Sequence, residues 1–213
     1  MIKQPIGNVE HVLLCKYEWI QEIMGENILI PISRKLVTRL ADPSVFWFGP
    51  RNLIETHTKY VQLVSYVIIE HDNQVLCYQR GDDSSEQRLK NKFSIGLGGH
   101  ISLIDARITN GTLDVMKTIK AGAAREVGEE LEVHKVLASK KLVLLHSKVN
   151  AVDSVHCGFV EIWKVESPQV ATKETSLKTI GFKSLSELAA KQGFETWSTL
   201  LIQYLNNMSP NIQ

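Results

Sequence analysis

Alternating and helical spacing of apolar residues divides the chain into elements before any chemistry is considered. Residues 60–70, YVQLVSYVIIE, are rich in Val, Ile and Tyr, and His71-Asp72-Asn73-Gln74 reads as a turn into VLCYQR at 75–80, so the spacing predicts a hairpin. Upstream, 10–17 predicts a strand, 18–24 a turn of helix and 27–32 a second strand. A helix capped by Ser33 follows at 33–40, then a strand at 45–48 closed by Gly49-Pro50. FSIGLGGH at 93–100 reads as a strand running into a Gly-Gly turn. The period then becomes helical: Met116, Ala123, Ala124, Val127 and Leu131 form an apolar stripe leading through 121–133, with Lys120 inside it. Strands are expected at 141–147 and 155–165 and a polar loop at 166–176. A short helix through Ala190, capped by Ser184 or Ser186, and an amphipathic closing helix at 194–205 complete the chain.

The polar side of the 121–133 helix carries the candidate chemistry. Glu126, Glu129 and Glu130 stand at i, i+3 and i+4, which makes them neighbours on a helix surface. Carboxylates that close repel one another, so a cation is expected among them, and an oxygen-only set suits Mg²⁺ or Mn²⁺. Arg125 flanks the group, where a charge-assisted contact would hold Glu126 in one rotamer. A solvated charged face is the competing reading of a bare glutamate triplet.

Composition narrows the classes. A chain of 213 residues with 44% hydrophobic content suffices for one sizeable core, and Lys+Arg 24 against Asp+Glu 23 gives no field favouring nucleic acid or an anionic membrane. Cys15, Cys77 and Cys157 lie far apart in apolar runs, as buried thiols in a reducing cytoplasm do. No apolar run is long enough to span a bilayer and no signal peptide is readable, so a soluble cytoplasmic protein is expected.

The order of residues sharpens the glutamate reading. Arg125-Glu126-Val127-Gly128-Glu129-Glu130-Leu131-Glu132-Val133 resembles the second half of the Nudix box, Arg-Glu-aliphatic-any-Glu-Glu-any-Gly-aliphatic, at six of its seven defined positions. Glu132 stands where the box has its late glycine, and Lys117 where it has its first glutamate. Gly111 is the formal counterpart of the opening glycine. The Gly98-Gly99 pair fits that role better, with an insertion covering about residues 101–111. Tyr78-Gln79-Arg80, Glu86-Gln87-Arg88-Leu89 and the Gly98-Gly99-His100-Ile101 turn are similar to a longer bacterial Nudix subgroup.

The resemblance implies an α/β fold, the Nudix α/β/α sandwich around a mixed sheet, with residues 1–58 as an N-terminal extension packed on a 59–213 hydrolase domain. It implies a metal-dependent hydrolase that cleaves a phosphoric anhydride bond in a nucleoside diphosphate linked to another group. Glu126, Glu129, Glu130 and the Gly99 carbonyl would hold Mg²⁺ or Mn²⁺, while Glu129 or a loop carboxylate, Glu174 ahead of Glu166 and Glu161, would take the proton from water. Arg125 would restrain Glu126, and Arg80, Glu86 and Arg88 would face the substrate. A homodimer is the family's implication, supported by the aromatic N-terminal segment. His100 is open to a role as base, ligand or backbone-bonded turn residue. Two other classes stay in view: a catalytically silent ligand sensor, which the replaced glycine and first glutamate keep open while the retained Arg125-Glu126 and Glu129-Glu130 argue against it, and a diphosphate isomerase, whose cysteine 95–100 lacks.

Overall fold

The computed structural model describes residues 9–81, 90–173 and 177–208. In chain order β1 (His11–Lys16), α1 (Tyr17–Met24), β2 (Leu29–Pro31), α2 (Arg34–Leu40), β3 (Trp47–Pro50) and α3 (Arg51–Ile54) come first. Ser33 caps α2 by accepting from the Leu36 amide at 3.2 Å, which satisfies one donor that a first helical turn leaves open. β4 (Tyr60–His71) and β5 (Gln74–Arg80) form the expected hairpin, with Asp72 at φ 47° and Asn73 at φ 61° as its two turn residues. Asp and Asn tolerate that left-handed pair better than branched side chains do.

β6 (Phe93–Ser94), β7 (Gly96–Leu97), a 3₁₀ turn at Leu103–Asp105, β8 (Ile108–Thr109) and β9 (Thr112–Leu113) lead to α4 (Val115–Glu130). β10 (Leu131–Val133), β11 (Val136–Leu145), α5 (Ala151–Ser154), β12 (His156–Val165), β13 (Val170–Thr172) and β14 (Leu177–Lys183) follow. α6 (Leu185–Ala190) and α7 (Thr196–Met208) end the described chain. The result is an α/β fold with a large sheet. Among the described residues no helix is long and apolar enough to cross a membrane.

The backbone forms two compact units, one of Met1–Ser65, Gly99–Gly122 and Val143–Phe159, the other of Tyr66–Gly98, Ala123–Leu142 and Val160–Gln213. In the first, β1 pairs antiparallel with β3 and with the start of β4, Leu14 opposite Gln62, and β2 pairs with the end of β11. Leu13, Ile20, Leu63, Ile119 and Phe159 lie together in its core. The inserted segment is ordered there by local chemistry: Ser102 and Asp105 form a capping box over the 3₁₀ turn. Asn110 at φ 52° and Gly111 at φ 76° then make the two-residue turn between β8 and β9. Gly111 is thus a hairpin glycine, and its formal match to the opening of the box is coincidental.

In the second unit β5 pairs with β4 on one side and β14 on the other, and β10 pairs with β13. Val67, Tyr78, Leu97, Ala123, Val127 and Trp163 fill its core. All three cysteines are buried. Burial pushes the Cys157 thiol up to about 12 and the Cys77 thiol to about 11, and raises Cys15 well above its ordinary value. A disulfide-exchange reagent at pH 8 is therefore expected to leave the native thiols unmodified and to titrate all three after denaturation; fast native reaction at any of them would contradict this packing.

Candidate active site

α4 turns its apolar residues Ala123 and Val127 into the core of the second unit, and this fixes where its glutamates stand. Glu126 is 16% exposed and Glu129 55% exposed at the side chain, whereas Glu130 falls on the buried flank with 8% exposure for the residue. The expected stripe needs two corrections: Ala124 and Lys120 are both exposed. Their positions lie beyond the edge of the buried arc, which runs Val115, Ile119, Ala123 and Val127 at steps of four.

Arg125 gathers the outer pair. Its Nη1 donates to Glu126 Oε1 at 2.8 Å and to Glu129 Oε2 at 3.2 Å, so two carboxylate oxygens converge on one positively charged nitrogen. That is the rotamer restraint expected of Arg125, extended to a second glutamate. No cluster of three metal-ligating side chains is preformed among the described residues. Mg²⁺ commonly takes one or two carboxylates and completes its shell with water and phosphate, so the hard oxygen donors of α4 fit such an ion by chemistry and number.

The C-terminus of α4 does not need a glycine at position 132. The helix ends at Glu130, and Glu132 lies in β10 opposite Ala171, in extended backbone that any residue adopts. Lys173 closes the helix end: its amide donates to the Glu130 carbonyl at 3.0 Å and its ammonium to the Gly128 carbonyl at 2.7 Å. These satisfy carbonyls that a glycine-based cap would otherwise serve, with a cation at the negative end of the helix dipole. Lys117, in place of the box's first glutamate, pairs with Asp114 at 3.0 Å in the first turn.

Arg80 is drawn inward. Its Nη2 donates to the Tyr78 hydroxyl at 3.2 Å, and its guanidinium lies 5.6 Å from that ring's centre. Burial opposes its charge, but Tyr78, Glu130, Glu195 and Tyr66 outweigh that and hold its pKa above the ordinary value. Arg80 is therefore linked by charge to Glu130 of α4. Replacing Arg80 with Met should destabilise the fold by about 2 kcal/mol, with Lys retaining roughly half of that, as urea midpoints would show; equal stability of all three proteins would remove the internal role.

Glu195, which the sequence did not single out, holds three hydroxyls on one oxygen: Oε1 accepts from Tyr66 at 2.7 Å, Ser94 at 2.9 Å and Ser198 at 2.9 Å. Its partners come from β4, β6 and α7, a dispersion that no local motif reveals. Of the alternative loop carboxylates, Glu161 accepts from Trp163 Nε1 at 2.9 Å and Glu166 pairs with Lys135 at 2.8 Å, so both have structural partners. Glu86, Arg88 and Glu174 lie outside the described residues.

In the first unit the Gly99 carbonyl accepts from the Ser65 amide at 3.0 Å and, at 3.5 Å, from its hydroxyl. The first of these occupies one lone pair. His100 Nε2 meets His156 Nε2 at 3.0 Å, and His156 Nδ1 donates to the Val152 carbonyl at 2.6 Å, so His100 pairs with a second imidazole.

No family model matches the chain. Protein YmaB of Bacillus subtilis is 29% identical over 157 residues, 71% of this chain and 74% of its own length. The solved structure of Tm1382, a candidate Nudix hydrolase, is similar with a TM-score of 0.77 at 23% identity, covering 93% of this chain and all of the other. The NUDIX domain of Shewanella oneidensis NrtR, solved with ADP-ribose, gives a TM-score of 0.52 at 11% identity over 69% of this chain and 87% of that one.

Proposed function

From the Nudix fold that this chain has, we propose that it is a metal-dependent hydrolase of a diphosphate bond in a nucleotide-like substrate. The observation that carries the reading is the convergence of Glu126 and Glu129 on Arg125 in a helix whose order of charges matches the Nudix box. Mg²⁺ or Mn²⁺, when bound, would neutralise phosphate charge and acidify water. Glu126 and Glu130 are the residues to hold it: Glu126 is fixed by Arg125, and Glu130 is set against the core. The Gly99 carbonyl is the further ligand that the family resemblance implies; it accepts from the Ser65 amide and hydroxyl.

Glu129, the most exposed of the three carboxylates, is our candidate to take a proton from an incoming water. Arg125 then does two things. It holds Glu126 in one rotamer, and it keeps Glu129 beside it while leaving that side chain open to solvent. Arg80, Glu86 and Arg88 are proposed to serve the substrate's phosphates and linked group; for Arg80 the support is its charge beside Glu130.

The test is product release from nucleoside triphosphates, dinucleoside polyphosphates, nucleotide sugars, ADP-ribose, NADH and CoA, each with Mg²⁺ or Mn²⁺. ADP-ribose belongs in the panel because the NrtR domain was solved with it. Metal-dependent turnover of one class supports the hydrolase and names its substrate. Specific binding without turnover by any compound would instead make the fold a ligand sensor.

A further inference from the structure

The strand that leads to the Gly-Gly turn changes partner midway. Ser94 of β6 stands opposite Tyr78 of β5, whereas Leu97 of β7 stands opposite Val67 of β4. Between these pairings the main chain is held by side chains. The Ile95 amide donates to Ser198 Oγ at 3.0 Å, the Gly96 amide to Ser94 Oγ at 3.3 Å, and the Gly96 carbonyl accepts from the Tyr78 hydroxyl at 2.5 Å.

The direction of these bonds depends on Glu195. A hydroxyl has one proton to give. Glu195 Oε1 can only accept, so a Ser94 or Ser198 proton directed to it turns that hydroxyl's lone pairs toward the Gly96 or Ile95 amide. Tyr66 gives its proton to the same oxygen. Glu195 is itself fixed by backbone bonds on both sides: its amide donates to the Phe93 carbonyl at 3.0 Å and its carbonyl accepts from Thr199 at 3.0 Å in the first turn of α7. Tyr66, Tyr78, Ser94 and Ser198 are all at least nine-tenths buried. A fully satisfied buried polar cluster adds little net stability over apolar packing, but it specifies one arrangement of the backbone through it.

We infer that Glu195 is a positioning residue of the proposed active site, orienting the serine hydroxyls that fix Ile95 and Gly96 and thereby the strand that runs to Gly98. This rests on the hydrolase reading above. It assigns a role to a carboxylate far from the box in sequence, and the role requires no contact with substrate.

Glu195→Ala leaves three hydroxyls without their common acceptor, while Glu195→Gln retains an acceptor oxygen. Two readouts are needed. Amide hydrogen exchange at Ile95–Gly98 requires no activity, and half-saturating Mg²⁺ in the hydrolysis assay reports the site. In Glu195→Ala, exchange in this segment should accelerate and half-saturating Mg²⁺ should rise about tenfold, the scale of losing an outer support of a metal ligand. Glu195→Gln should recover most of both. Unchanged exchange would overturn the inference, as would faster exchange with an unchanged Mg²⁺ requirement, since the cluster would then be structural only. If Glu195→Ala fails to fold, Ser198→Ala, which removes the acceptor for Ile95, carries the same comparison. A wild-type protein that neither turns over the panel nor binds Mn²⁺ overturns the hydrolase reading itself, and the positioning role with it; that result is read on the wild type alone.

Discussion

Glu129→Gln is expected to lower metal-dependent hydrolysis by roughly 10³-fold, the range for loss of a general base, while leaving the urea midpoint close to wild type. The small stability effect follows from geometry: Glu129 is 55% exposed, and its contact with Arg125 at 3.2 Å is an exposed ion pair of the kind that contributes little. Glu126→Gln should behave differently. Glu126 is 16% exposed and held at 2.8 Å by Arg125, so its loss should chiefly raise the Mg²⁺ concentration needed for half-maximal rate. Initial rates over a metal titration separate the two. Equal kcat in Glu129→Gln and wild type would transfer the base to another carboxylate, with Glu174 as the sequence's alternative. If both variants lost only metal affinity, Glu129 would be a ligand and not a base.

Much of this site was legible along one stretch of chain because helical spacing puts i, i+3 and i+4 together without help from the rest of the fold. Arg125, Glu126 and Glu129 needed only the helix. Glu130 was harder to place: its spacing gives the correct neighbours, but only packing of Val127 and Ala123 against the core reveals that it lies on the buried flank. The replaced late glycine looked like a defect because the box, as a string of residues, carries no record of the strand that continues the helix. β10, with Lys173 from the segment after β13 supplying the helix-end donors, removes the requirement. Strand existence along 60–80 followed from β-branched and aromatic content, whereas the partner switch at Ile95 and the short strand β13 depend on contacts distant in sequence. Glu195 illustrates the limit most plainly, since its hydroxyl donors are 3, 101 and 129 residues away.

Gly96→Ala should be among the most destabilising single-methyl changes in the protein, costing about 4 kcal/mol by overpacking together with disrupted buried hydrogen bonds. A Cβ at Gly96 would stand 1.8 Å from Tyr66 Cε1 and 2.1 Å from Cζ, far inside contact distance. Tyr66 has little freedom to retreat: its hydroxyl donates to Glu195 at 2.7 Å, and its ring packs on Trp197. Gly128→Ala is the matched comparison. Gly128 lies within α4, and a Cβ there meets nothing within 4 Å, so the change should stabilise by about 0.5–1 kcal/mol through the lower helix cost of alanine. Urea unfolding of the two variants should therefore move the midpoint in opposite directions. A Gly96→Ala protein as stable as wild type would mean that Tyr66 yields without cost, and a ring that yields so easily could not belong to a cluster that fixes the strand.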